Sequence, residues 1–155
     1  MSRLLRLVEQ ALRYTVASLV GAIVVLVTLQ VLFRYALEAP LVWSEELTTL
    51  SYQWVSYLGA ALAVRHRGHY GIDLMVRSLS SAWRGRLQWI EHAVITMLGL
   101  FMVIFGASLA VSTAGQSYPT LGFSVGLGYL VLPVSGALFL LMELAVLLDR
   151  GGAAP

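Results

Sequence analysis

Three histidines, His66, His69 and His92, are the only imidazoles in this 155-residue chain, which has neither cysteine nor lysine. Disulfides, thiolate metal sites, cysteine nucleophiles and lysine Schiff bases are therefore excluded. His66 and His69 stand three apart in Arg65-His66-Arg67-Gly68-His69. That spacing suits a metal, but the flanking guanidinium groups oppose a cation. A membrane haem needs axial histidines within apolar spans. His66 and His69 sit among arginines instead, and His92 opens an apolar run. The residues predict no catalytic group, no metal and no cofactor.

The carboxylates are more informative. Trp43-Ser44-Glu45-Glu46 reads as a helix start: Ser44 as N-cap, with Glu45 and Glu46 in the first turn where the macrodipole favours negative charge. It also reads as half of an ion pair, one glutamate meeting Arg34 or a partner's basic group. The two readings are compatible. Eleven residues, 35–45, separate Arg34 from Glu46, and Pro40 helps turn that loop, so the two charges can meet at the surface. Glu143 lies inside an apolar run. Its expected place is near the cytoplasmic interface, paired with an arginine of residues 65–91. A proton or cation site there would want a second carboxylate, and none is close in sequence.

Charged residues make up 12% of the chain and hydrophobic ones 59%. Soluble domains carry about twice that charge fraction, and disordered chains carry far fewer apolar residues. A net charge of only +2 gives no electrostatic case for nucleic acid. Twenty residues without charge separate Arg13 from Arg34, and eighteen separate Glu46 from Arg65. Fifty more run from Ala93 to Met142, broken by the turn-forming cluster Gly115–Gly122. Each run gives about 27–33 Å of helix, enough to cross a bilayer's hydrocarbon core. The fold expected is an all-α integral membrane protein: one domain, residues 1–155, with four transmembrane helices near 14–33, 47–64, 93–114 and 126–148. The first span exceeds a signal peptide's apolar core and lacks a small-x-small cleavage pattern, so it reads as an uncleaved anchor.

Nine of the ten arginines fall in the N-terminal tail, residues 65–91 or the C-terminal tail, and only Arg34 falls in the first loop. The positive-inside rule then places both termini in the cytoplasm. The tail spaces Leu4, Leu5, Val8 and Leu12 as an amphipathic helix, lying at the headgroups or extending the first span. The 65–91 segment mixes Trp83 and Trp89 with arginines and should lie at the interface. One short in-plane helix is expected near Ile72–Leu79. A second, capped by Ser80 or Ser81, should run into the third span. Gly122-x-x-x-Gly126 sits at a loop edge, where turn formation competes with close helix packing. Gly106, Ala110 and Ala114 recur every fourth residue, as do Gly59 and Ala63, and favour helix–helix contact. Polar residues within spans are mild: Gln30, Ser51, Gln53, Ser56, Ser108 and Ser112. No ionisable residue falls at mid-span, where ion and proton sites require one.

Gln30-Val31-Leu32-Phe33-Arg34-Tyr35, Pro40 and Trp43-Ser44-Glu45-Glu46 together resemble the first-loop signature of the small (Q-type) membrane subunit of TRAP transporters, the tripartite ATP-independent periplasmic transporters. The resemblance continues through Trp54, Leu58-Gly59-Ala60-Ala61-Leu62-Ala63-Val64-Arg65, Gly68-His69 and Asp73, and more loosely at Tyr129 and Pro133. It departs at Phe123-Ser124, a stretch where proline is common. The resemblance implies a bacterial inner-membrane system for sodium-driven uptake of a small organic acid. A periplasmic binding protein captures the substrate, a large (M-type) subunit carries the sites, and the small subunit is its scaffold in the lipid bilayer. Arg34, Trp43, Glu45, Glu46, Arg65, His69 and Asp73 are then the expected assembly residues. The competing readings are a self-sufficient homodimeric transporter, which would need a mid-span carboxylate, and the membrane anchor of an oxidoreductase, disfavoured by the histidine positions.

Overall fold

The structure, a computed structural model, describes residues 3–66 and 81–151. They form five helices: α1 (Arg3–Tyr35), α2 (Val42–His66), α3 (Ser81–Ser112), α4 (Val125–Tyr129) and α5 (Val131–Gly151). Among the described residues the only β pairing is an isolated bridge, Ser117 with Ser124. Packing runs α1 on α2, α2 on α5 and α5 on α3, with the short α4 against α3. The long helices thus lie in the order α1, α2, α5, α3, the two apolar outer ones flanking a central pair.

The amphipathic tail extends the first span: α1 is one 33-residue helix. From Leu12 onward its covered residues are Leu12, Val16, Leu19, Ile23, Leu26, Gln30 and Phe33, at alternating intervals of four and three. That is the 3.5-residue seam of a two-helix coiled coil, and α2 lies along it. Toward the N-terminal end of α1 the seam merges with a buried cluster of Leu12, Leu58 and Met142, walled by Val8, Trp54, Leu62 and Leu138.

α3 and α5 cross through glycine. A Cβ on Gly136 would meet the Gly99 carbonyl oxygen at 2.8 Å and the Val103 nitrogen at 2.9 Å. One on Gly106 would strike Leu132 and Pro133, and one on Gly126 would strike the Ala110 carbonyl. The expected stripe of Gly106, Ala110 and Ala114 is therefore a packing surface, and Gly99 extends it. The two glycines of Gly122-x-x-x-Gly126 divide the alternatives: Gly122 turns the chain at φ +71°, and Gly126 permits close approach. A Cβ on Gly59 would meet nothing within 4 Å among the described residues.

The last span is broken at its start. Pro133 has no N–H for the Tyr129 carbonyl, and its ring crowds that carbonyl, so α4 ends at Tyr129 and α5 restarts at Val131. Ser124 accepts from the Gly126 N–H as the cap of α4, which supplies a local reason for serine where proline is common. Helix α3 starts at Ser81 and runs unbroken to Ser112, as expected of a helix continuing into the third span. The in-plane helix expected near Ile72–Leu79, and Ser80, lie outside the described residues.

Among the described residues, three helical segments are long and apolar enough to cross a membrane: Leu5–Tyr35, Arg86–Ser112 and Val125–Leu148. α2 has 25 residues, a sufficient length, but carries Thr48, Thr49, Ser51, Gln53 and Ser56.

Candidate functional site

Arg34 ends α1, and the 36–41 loop returns the chain to α2. Ala39 donates to the Phe33 carbonyl and Glu38 adopts φ +52°, which folds this loop back on the helix end. The Arg34 guanidinium then reaches Glu45 at 3.7 Å, both side chains being about two-thirds exposed. The pairing with Glu46 expected from loop length does not form. Adjacent residues on a helix point about 100° apart, so only one of the two glutamates can face the end of α1.

Glu46 faces the other way. Its carboxylate accepts the backbone N–H of Thr120 at 3.1 Å and that of Leu121 at 2.9 Å. Those two amides form the tip of a hairpin in which Tyr118 donates to Phe123 O and Val125 donates to Gln116 O. Two successive backbone donors make a small anion cradle, filled here by a side chain from the first helical hairpin. The Glu46 charge, with burial as the larger cause and Tyr129 between them in weight, holds the Tyr118 phenol above its usual pKa. The sequence pointed to Arg34 meeting one of the two glutamates without saying which, and it did not point to the Glu46 clasp. The uncharged third loop gave no sign that its amides would receive a carboxylate.

Ser44 is not the N-cap. The helix begins two residues earlier at Val42, and the fully buried Ser44 hydroxyl donates back to the Leu41 carbonyl at 2.6 Å. Its role is to close the first turn from inside. Trp43 stands beside it, part exposed at the rim. A shallow cleft lined by Gln30, Arg34, Tyr35, Pro40, Leu41 and Glu45 opens at this same end. Below it Gln30 donates its amide to Thr48 at 3.1 Å, joining α1 to α2.

At the opposite end Arg65 lies 3.9 Å from Glu9, and Arg13 lies 3.2 Å from the same carboxylate. Arg65 therefore fastens the far end of α2 to α1. His69 and Asp73 lie outside the described residues. Glu143 is buried, and its partner is His92 Nδ1 of α3, correcting the expected arginine. His92 precedes the end of α3 by twenty residues, about 30 Å. The pair thus lies well away from the end of α3 that carries the Glu46 clasp. Trp89 meets the His92 ring edge-on, with centroids 6.4 Å apart. No group of three or more metal-ligating side chains occurs among the described residues. The arrangement ties helices together at both ends.

The family described as "Tripartite ATP-independent periplasmic transporters, DctQ component" matches residues 23–150. The isethionate TRAP transporter permease protein DctMQ of Oleidesulfovibrio alaskensis is 31% identical over 84% of this chain, which spans only 21% of that protein. The sialic acid TRAP transporter small permease protein SiaQ of Vibrio cholerae is 30% identical, over 81% of this chain and 73% of its own length. The C4-dicarboxylate TRAP transporter small permease protein DctQ of Rhodobacter capsulatus is 27% identical, over 74% of this chain and 52% of its own.

Proposed function

The chain belongs to the DctQ component family of the tripartite ATP-independent periplasmic transporters, and from that premise we propose that it is a four-span scaffold for a large (M-type) permease subunit. The family is a transporter component and not an enzyme. The complex, in the bacterial inner membrane, takes up a small organic acid delivered by a periplasmic binding protein and driven by sodium. The relatives' names support the permease and organic-acid parts of this reading: a permease protein DctMQ, and small permeases for sialic acid and C4-dicarboxylates.

The observation that carries the scaffold reading is where the charges of the described helices lie. Arg34, Glu45 and Glu46 serve loop contacts at one end, while Glu9, Arg65, His92 and Glu143 pair near the other. Between these levels the spans offer no ionisable group to carry an ion or proton. α2 counts as the fourth span in this reading, because one end is tied to the long apolar α1 at Glu9 and the other to the 113–124 hairpin at Thr120. Both termini are then cytoplasmic, in keeping with the arginine distribution.

The test is uptake in proteoliposomes. This chain alone should transport nothing. Reconstituted with the large subunit and binding protein, it should support sodium-dependent uptake of an organic acid. Reproducible uptake by the chain alone would favour the homodimeric transporter instead.

A further inference from the structure

The open faces of the outer and central helices differ in kind. α1 exposes Val20, Val24, Val27 and Val31, and α3 exposes Met97, Phe101, Ile104 and Phe105, bulky surfaces suited to acyl chains. The open face of α2 is polar and then small: Thr49, Ser56, Ala60 and Ala63 are exposed, with Tyr52 beside them and the half-buried Gln53 at the edge of the same stripe, the five stripe positions falling at intervals of four, three, four and three. Thr49 satisfies its hydroxyl by donating to the Glu45 carbonyl. The Tyr52 hydroxyl, 65% exposed as a residue, the Gln53 amide and the Ser56 hydroxyl make no hydrogen bond among the described residues.

Depth makes this matter. Gln53 and Ser56 lie about 16 and 21 Å along a helix about 37 Å long, well within a hydrocarbon core if α2 spans it. Lipid offers an amide and a hydroxyl nothing to bond, and a buried primary amide is among the costliest groups to leave there. Lipid is therefore a poor covering for this face, whereas a protein helix that brings donors and acceptors is a good one. The small half, Gly59, Ala60 and Ala63, would let that helix approach closely.

Resting on the scaffold reading, we infer that the α2 face bearing Thr49, Gln53, Ser56 and Ala60 receives a transmembrane helix of the large permease subunit, one with a polar side chain at the depth of Gln53. The isethionate permease protein DctMQ carries the matching segment within a chain about five times that segment's length, so in that relative further permease sequence is covalently joined to the counterpart of this chain. The stripe also leads up to Glu45, which places the exposed Arg34–Glu45 pair at the rim of the same contact.

The experiment is co-purification of the large subunit with the tagged chain, both co-expressed. Ala60→Trp and Gln53→Leu on α2 are compared with Val24→Trp on α1 and Phe101→Trp on α3. The α2 variants should lower the recovered large subunit by roughly tenfold, the loss expected for a central contact, and the other two should leave it unchanged. Ser56→Cys, a small change that spares the fold, should cross-link to the large subunit in the assembled complex. Full recovery with both α2 variants, or loss confined to Val24→Trp or Phe101→Trp, overturns the proposal. So does a Ser56→Cys cross-link to a second copy of this chain, or free labelling of that cysteine by a water-borne reagent. Failure of the unsubstituted chain to co-purify at all would defeat the scaffold reading as well, and so is distinguishable from failure of the face.

Discussion

Single residues decide how the loops are fastened, and two glutamates side by side do different work. Glu45 makes an exposed pair with Arg34, of a kind that contributes roughly 0–1 kcal/mol. Glu46 receives two backbone N–H groups that have no other acceptor in the hairpin tip. Hydrogen bonds to a charged group contribute about 1.5–3 kcal/mol. Glu46→Ala is therefore expected to lower the melting temperature in detergent clearly, and Glu45→Ala to lower it little, as read by circular dichroism. At the other end, His92→Leu or Glu143→Leu alone strands a buried polar partner and should cost on the order of 3–5 kcal/mol. The double variant His92→Leu/Glu143→Leu should cost less than either single one, because no orphan remains. Equal or additive losses would mean that the two side chains do not depend on each other. The residue types in these sites were all legible in the sequence, but their pairings were not. Helix phase separates Glu45 from Glu46, and 51 residues separate His92 from Glu143, so neither choice leaves a local trace.

Helices were easier to read than pairings, because gaps between charges mark spans directly. Runs of twenty and fifty uncharged residues locate α1 and the α3–α5 pair. The boundaries moved for physical reasons: the amphipathic tail found a partner in α2 and so continued α1, and Pro133 cut the last span near its start. Gly99 went unremarked, since one glycine in an apolar run looks like any other until its opposite number, Gly136, is known. That crossing can be tested. Gly136→Ala places a methyl group against backbone atoms of α3, which cannot yield as a side chain would, and should reduce thermal stability and recovery from the membrane. Gly21→Ala on the open side of α1 meets nothing within 4 Å and should be neutral or slightly stabilising, by up to about 1 kcal/mol. If both behave alike, the close α3–α5 approach is not a source of stability.

For the whole molecule, the proposed orientation rests on arginine counts, and the structure puts the 36–41 and 113–124 loops at the same end through Glu46. Ser117→Cys should accordingly react with an impermeant maleimide applied to the periplasmic side of intact cells, while Arg6→Cys should react only after the membrane is opened. The opposite pattern would invert the protein. The class of partner was visible in the first-loop signature, but the docking face was not. The polar stripe on α2 becomes meaningful only once α1 and α5 are seen to pack on its other sides, leaving Ser56 exposed and the half-buried Gln53 amide without a hydrogen bond among the described residues.

The Glu46 clasp also dates the steps of biogenesis. Its carboxylate and the amides it holds are 74 and 75 residues apart in the chain. The α1–α2 hairpin has been made, and in the proposed topology has inserted, long before Thr120 and Leu121 leave the ribosome. The clasp can close only after the second hairpin has crossed the bilayer to the same side. Until then Glu46 waits in water on the far side, and α2 is held by α1 alone. A chain arrested during synthesis before Thr120 is an unlatched half-protein, exposed to quality-control proteases at the very helix that would meet its partner.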